Sequence, residues 1–85
     1  MALLIRVDGG LEQVAVKGDF EKLQKLVEGY VIFIPHKVAM NGEKYSGFTC
    51  NEDGQSMNLP YNRNASNILN QKLLGHVVLV KNGDI

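Results

Sequence analysis

The chain has a single cysteine, two prolines, no tryptophan and no excess charge of either sign, nine Lys and Arg balancing nine Asp and Glu in 85 residues. Each shortage excludes something. One cysteine permits neither an internal disulfide nor a thiolate metal cluster. At the end of the apolar stretch FTC, Cys50 reads as a small buried hydrophobe rather than a nucleophile. A balanced charge disfavours a protein that grips duplex nucleic acid, because that requires several cations gathered on one face. Here the bases, Arg6, Lys17, Lys22, Lys25, Lys37, Lys44, Arg63, Lys72 and Lys81, are scattered, and almost every one has an acidic neighbour within a few positions. No apolar run approaches the ~18 residues of a membrane span. The N-terminal MALLIRV is too short for the apolar region of a signal peptide and has no basic segment before it. The expectation is a soluble cytoplasmic protein with no membrane and no duplex nucleic acid among its partners.

Signatures of catalysis and metal binding are missing as well. His36 and His76 are far apart in sequence, with no HxH, HExxH or paired cysteine to complete a metal site. Asn51-Glu52-Asp53-Gly54 lacks the ligand spacing of a calcium loop and reads as a turn. There is no GxSxG, no P-loop and no dinucleotide fingerprint. Ser66 and His76 have no positioning context, and Glu52 or Asp53 on a solvated turn should keep ordinary carboxylate acidity. The expected protein is not an enzyme and uses no cofactor.

Eighty-five residues bound the chain to one domain, residues 1–85, that buries only about 60–65% of its unfolded surface. Domains this small often gain stability by pairing protomers, and the apolar segments MALLIRV, YVIFIP and HVVLV suggest a homo-oligomer. Ala2–Val7 and Leu11–Val16 flank Asp8-Gly9-Gly10, the pattern of a β-hairpin. In GDFEKLQKLVEG, Asp19 can cap, and Phe20, Leu23, Leu26 and Val27 form one apolar stripe of an amphipathic helix. Gly29 then falls at the C′ position. Tyr30–Pro35, YVIFIP, is continuously apolar, as expected of a central strand buried on both faces, or of one covered by the helix and a second protomer, and Pro35 is expected to end it. HKVAMNGEKYSG reads as a loop or ragged hairpin with a tight turn at Asn41-Gly42. YSGFTC (Tyr45–Cys50) and QSMNL (Gln55–Leu59) read as short strands around the NEDG turn. Pro60 closes the second of these. A second short helix follows in NASNILNQKLLG, capped by Asn62 or Asn64 and burying Ile68, Leu69 and Leu73. His76–Val80, HVVLV, is the last strand. The order ββαβββαβ predicts an α+β domain with a mainly antiparallel sheet.

Five of the thirteen residues from Asn58 to Asn70 are asparagine. Within this polar seam, Pro60–Asn67 combines an aromatic ring, one guanidinium and several amides at a helix start. Tyr61 can stack on a base, Arg63 can pair with a phosphate or carboxylate, and Asn62, Asn64, Ser66 and Asn67 can supply hydrogen bonds, the amides to a purine edge. The same residues read equally as caps and turn chemistry, with Tyr61 sealing the core and Arg63 paired to Glu52 or Asp53.

Glu28-Gly29-Tyr30, Asn51-Glu52-Asp53-Gly54, Leu59-Pro60-Tyr61-Asn62-Arg63-Asn64-Ala65, and Gly75 with Val77, Val78 and Val80 occur in an order that resembles a family of short proteins of unknown function. That family is encoded by phages and plasmids, and the resemblance covers roughly residues 19–82. It implies a mobile-element origin and supplies no catalytic residues. Small phage proteins commonly act by binding, so the leading expectation is an anti-defence protein that sequesters a small nucleotide-like signal in the host cytoplasm. The alternatives are a protein–protein inhibitor of a host enzyme, using an exposed strand edge or the Lys37–Tyr45 loop, and a structural or regulatory subunit.

Overall fold

A computed structural model describes all residues from Met1 to Ile85. Seven elements follow in the order β1 (Ala2–Ile5), β2 (Leu11–Val14), α1 (Phe20–Val27), β3 (Val31–Met40), β4 (Glu43–Asn51), α2 (Arg63–Leu69) and β5 (Val77–Val80). The five strands form one sheet in the spatial order β2-β1-β5-β4-β3. Every neighbouring pair is antiparallel. The α+β class, the two helices and the antiparallel sheet are those expected from the sequence.

The sheet is covered on both faces. On one face Leu3, Ile5, Phe48, Cys50, Val77 and Leu79 pack with Ala65 and Leu69 of α2. On the other, Ala2, Leu4, Val14, Val78 and Val80 pack with Leu23 and Val27 of α1. All four residues of β1 and all four of β5 are buried. A strand covered on both sides has no polar face, and this is why ALLI and VVLV read as unbroken apolar runs. Helix α1 starts where the Asp19 carboxylate accepts the Lys22 N–H at 3.1 Å. Glu28 (φ 65°), rather than Gly29, takes the left-handed position that ends it. The Gly29 N–H then closes back on the Gln24 carbonyl at 2.9 Å. Phe20 stands 58% exposed, outside the stripe that Leu23 and Val27 bury.

Three local expectations are corrected. Tyr30–Pro35 is not a central strand: β3 is one of the sheet's two edge strands, and Tyr30, Ile32 and Phe33 are exposed. Pro35 lies inside it, beside a register shift between Pro35 and Val38. An edge strand tolerates a proline because the missing N–H can face away from the ladder, and bulge, proline and Lys37 together discourage open-ended pairing. Beyond the bulge the strand continues. Of the loop and hairpin expected for this segment the hairpin is the one formed, and it turns where expected, at Asn41 (φ 52°) and Gly42 (φ 79°), the left-handed pair of a tight type I′ turn.

Gln55–Leu59 is not a strand. Successive turns take its place, closed by Met57 N–H on the Asp53 carbonyl and Leu59 N–H on the Gly54 carbonyl, with Asn58 left-handed. The chain thus has five strands, ββαββαβ, where six were expected. Buried Asn51 holds this segment to the rest of the fold. Its amide donates to the Val27 carbonyl at 3.0 Å, and its carbonyl oxygen accepts the Asp53 N–H at 2.7 Å. No helix is long and apolar enough to cross a membrane.

Candidate functional site

The segment Pro60–Asn67 wraps from the Asp53–Leu59 turns into α2, and its side chains divide into two groups. Asn62 and Ser66 belong to the framework. The Asn62 side chain is fully buried. It donates to the carbonyls of Ile5 and Gly75, each at 2.9 Å, and its oxygen accepts the Ala65 N–H at 3.0 Å as the cap of α2. The Ser66 hydroxyl accepts the Leu73 N–H at 2.9 Å and donates to the Leu73 carbonyl. Neither has a polar atom to spare for a ligand.

Tyr61, Arg63, Asn64 and Asn67 lie at the surface. Tyr61 is half exposed and bridges Leu74 through the backbone. The Asn64 amide reaches the Gly9 carbonyl at 3.4 Å. Arg63 joins neither ion pair of the molecule, those of Arg6 with Glu12 and Lys81 with Glu43. The pairing of Arg63 with Glu52 or Asp53 is therefore not made. Helix α2 has only seven residues, and its cap and the Asn62 carbonyl already take the Ala65 and Ser66 N–H groups.

A second surface, which includes much of the Lys37–Tyr45 segment expected as an alternative, inhibitory surface but joins it to Lys81 and Asn82, has a more definite shape. The β3–β4 hairpin runs past the end of β5, because β5 pairs only with Gly47–Thr49 of β4. The corner between the overhanging hairpin and the chain after β5 is an open groove of about 710 Å³. It is lined by Lys37, Lys44, Tyr45, Ser46, Lys81 and Asn82, with the Val38–Ala39 segment. Tyr45 is only 5% exposed, its ring being part of the core. The Lys81 ammonium stands 5.5 Å from the centre of that ring. Lys81 also pairs with Glu43. The hydrogen bond to Lys81 holds the Glu43 carboxyl below its ordinary value and the Lys81 ammonium above its own. The Lys81 backbone is fixed by its N–H on the Asp84 carboxylate at 2.9 Å, and the Ser46 hydroxyl donates to the Val80 carbonyl at 3.3 Å. Lys37 and Lys44 have no acidic partner.

A second concavity, about 190 Å³, has Cys50, Glu52, Gln55 and Lys72 on its walls. Burial pushes the Cys50 thiol up, so it is the unreactive neutral form. The folded state keeps this proton at a pH where the unfolded chain, with an ordinary thiol near 8.5, releases it. The sign follows: Cys50 favours folding fully below about pH 8.5, and that contribution is lost as pH rises toward the higher native value. Denaturant melts at pH 7.5 and 9.5 should show the wild type losing more stability than Cys50→Ala. Equal losses would show that the thiol titrates alike in both states. No three His, Cys, Asp or Glu side chains gather closely enough to hold a metal ion.

Fold and surface thus define a small two-sided α+β domain with an open groove lined by three lysines. The chain matches no protein-family model, no curated protein and no solved structure.

The sequence hid the groove because its three lysines come from β3, β4 and the chain after β5, and they form no local pattern. Only the register Ala39↔Lys44 and the pairing of β4 with β5 bring them together.

Proposed function

We propose that the protein is a non-enzymatic binding protein for a small, anionic, nucleotide-like ligand, and that the Lys37–Lys44–Lys81 groove is its site. The convergence of three lysines from three segments on one concavity carries this reading, since ligand sites combine a concave shape with a few placed polar groups. A groove of about 710 Å³ falls within the ~300–1,000 Å³ of small-molecule sites. The resemblance to short phage and plasmid proteins supports an accessory role for a mobile element, and a sequestering protein needs affinity without chemistry. Tyr61, Arg63, Asn64 and Asn67 are the rival surface.

Calorimetric titration with cyclic dinucleotides, cyclic oligonucleotides and ADP-ribose derivatives tests this. One of them should bind, Lys44→Ala should weaken it by about tenfold, a charge-assisted contact being lost, and Arg63→Ala should leave it unchanged. A ligand lost with Arg63→Ala and retained with Lys44→Ala would move the site to α2.

A second reading, inhibition of a host protein, is favoured by the unpaired outer edge of β3 with Tyr30, Ile32 and Phe33 exposed along it. A homo-oligomer would use the exposed side chains of Tyr30, Ile32 and Phe33 rather than continuous strand pairing, which the bulge, Pro35 and Lys37 discourage. Loss of host-protein capture by Phe33→Lys supports that reading, whereas dissociation of an oligomer in light scattering would assign this surface to a contact between protomers.

A further inference from the structure

Resting on the assignment of the groove as an anion site, we infer that it takes contiguous phosphates, the diphosphate or longer chain of a nucleotide-like ligand, and leaves the base outside. The single aromatic ring of the groove is not available as a stacking platform. A base needs a free π-face, whereas Tyr45 is 5% exposed and has the Lys81 ammonium 5.5 Å from its centre. What remains is charge: Lys37 from β3, Lys44 from β4 and Lys81 after β5, with the Asn82 side chain and the Ser46 hydroxyl oxygen beside them. Lysine ammoniums are compact point charges on flexible stems, suited to a chain of phosphoryl oxygens rather than to a planar, bidentate group.

Glu43 sharpens this preference. It already holds Lys81, so a ligand with one negative charge exchanges one exposed ion pair for another and gains little. A ligand gains most by reaching Lys37 and Lys44 at the same time as Lys81, which requires several linked negative charges. Glu43 thus lowers the gain of any anion that meets Lys81 alone. Asp84 is the other carboxylate nearby, and its bond to the Lys81 backbone N–H leaves it in place during the exchange.

The test is titration of the full chain, at low salt and without divalent cations, with orthophosphate, tripolyphosphate, adenosine, ADP-ribose and a cyclic dinucleotide. Tripolyphosphate and ADP-ribose should bind, tripolyphosphate more tightly, while orthophosphate, adenosine and the cyclic dinucleotide, whose phosphates are separated, should give no heat. Glu43→Gln should tighten tripolyphosphate by about fivefold, the worth of one exposed ion pair. The residue is exposed, so its replacement leaves the fold intact. Binding of the cyclic dinucleotide without tripolyphosphate would overturn the phosphate-chain assignment and leave the anion site standing. Silence from every compound would overturn both. An unchanged affinity in Glu43→Gln would remove Glu43 from the account.

Discussion

Asn62→Ala is expected to lower stability by about 3 kcal/mol. The side chain has no exposure and makes three hydrogen bonds. Losing the cap of α2 costs ~1 kcal/mol. The carbonyls of Ile5 and Gly75 lose their bonds to the amide in a site that water does not reach, at about 1 kcal/mol or more each. These two carbonyls belong to the end of β1 and the turn before β5, so one amide ties α2 to both central strands. In a domain of this size, such a loss lowers Tm by roughly 15 °C. Asn62→Asp keeps the capping oxygen but sets a carboxylate against two carbonyl oxygens, and should be at least as damaging. Arg63→Ala, one residue on, should stay within about 0.5 kcal/mol of wild type because its side chain is exposed and unpaired. Thermal melts of the three variants decide the matter. Equal effects of Asn62→Ala and Arg63→Ala would mean that the buried amide does not bridge the strands.

This pair of residues also shows what a linear reading can reach. Asn62 at a helix start looks the same in sequence whether it faces a ligand or the core. What distinguishes the two is the position of Ile5, which lies 57 residues away in sequence. The same limit explains YVIFIP. Apolar continuity located β1 and β5 correctly, since both are covered by α1 on one face and α2 on the other. β3 has a similar composition, but the order of strands places it at the rim, and no local signal encodes strand order. Pro35 was the available clue, because a proline belongs at an edge or a bulge. QSMNL alternates like a strand, yet Gly54 and the left-handed Asn58 wind it into turns. Helix α1, by contrast, was legible in its cap and in the buried Leu23 and Val27, which are determined by residues within one or two turns of each other, though not in the exposed Phe20 or the ending at Glu28.

Gly47→Ala is the second change expected to have a large effect, about 2 kcal/mol, the range for forcing atoms into occupied space. A Cβ at this position would lie 2.6 Å from the Ile34 carbonyl oxygen and 2.6 Å from Cε1 of Phe33. The two obstacles differ in kind. Phe33 is 41% exposed and its ring can swing outward, whereas the Ile34 carbonyl belongs to the β3 backbone, which pairs with β4 at this point through Ile34↔Phe48 and Pro35↔Gly47. Relief therefore requires β3 to draw away from β4, and β3 has no outer neighbour to hold it in place. In a Phe33→Ala background the cost of Gly47→Ala should fall but remain near 1 kcal/mol, the part owed to the backbone oxygen. A cost that vanishes in that background would assign the whole effect to the ring. The change also reaches the groove, because Lys37 lies on the same strand two residues beyond Pro35. A displaced β3 carries that ammonium away from Lys44 and Lys81, so Gly47→Ala should weaken tripolyphosphate even under conditions where the protein stays folded. Retention of full affinity would show that the hairpin beyond Pro35 holds its place independently of the strand before it.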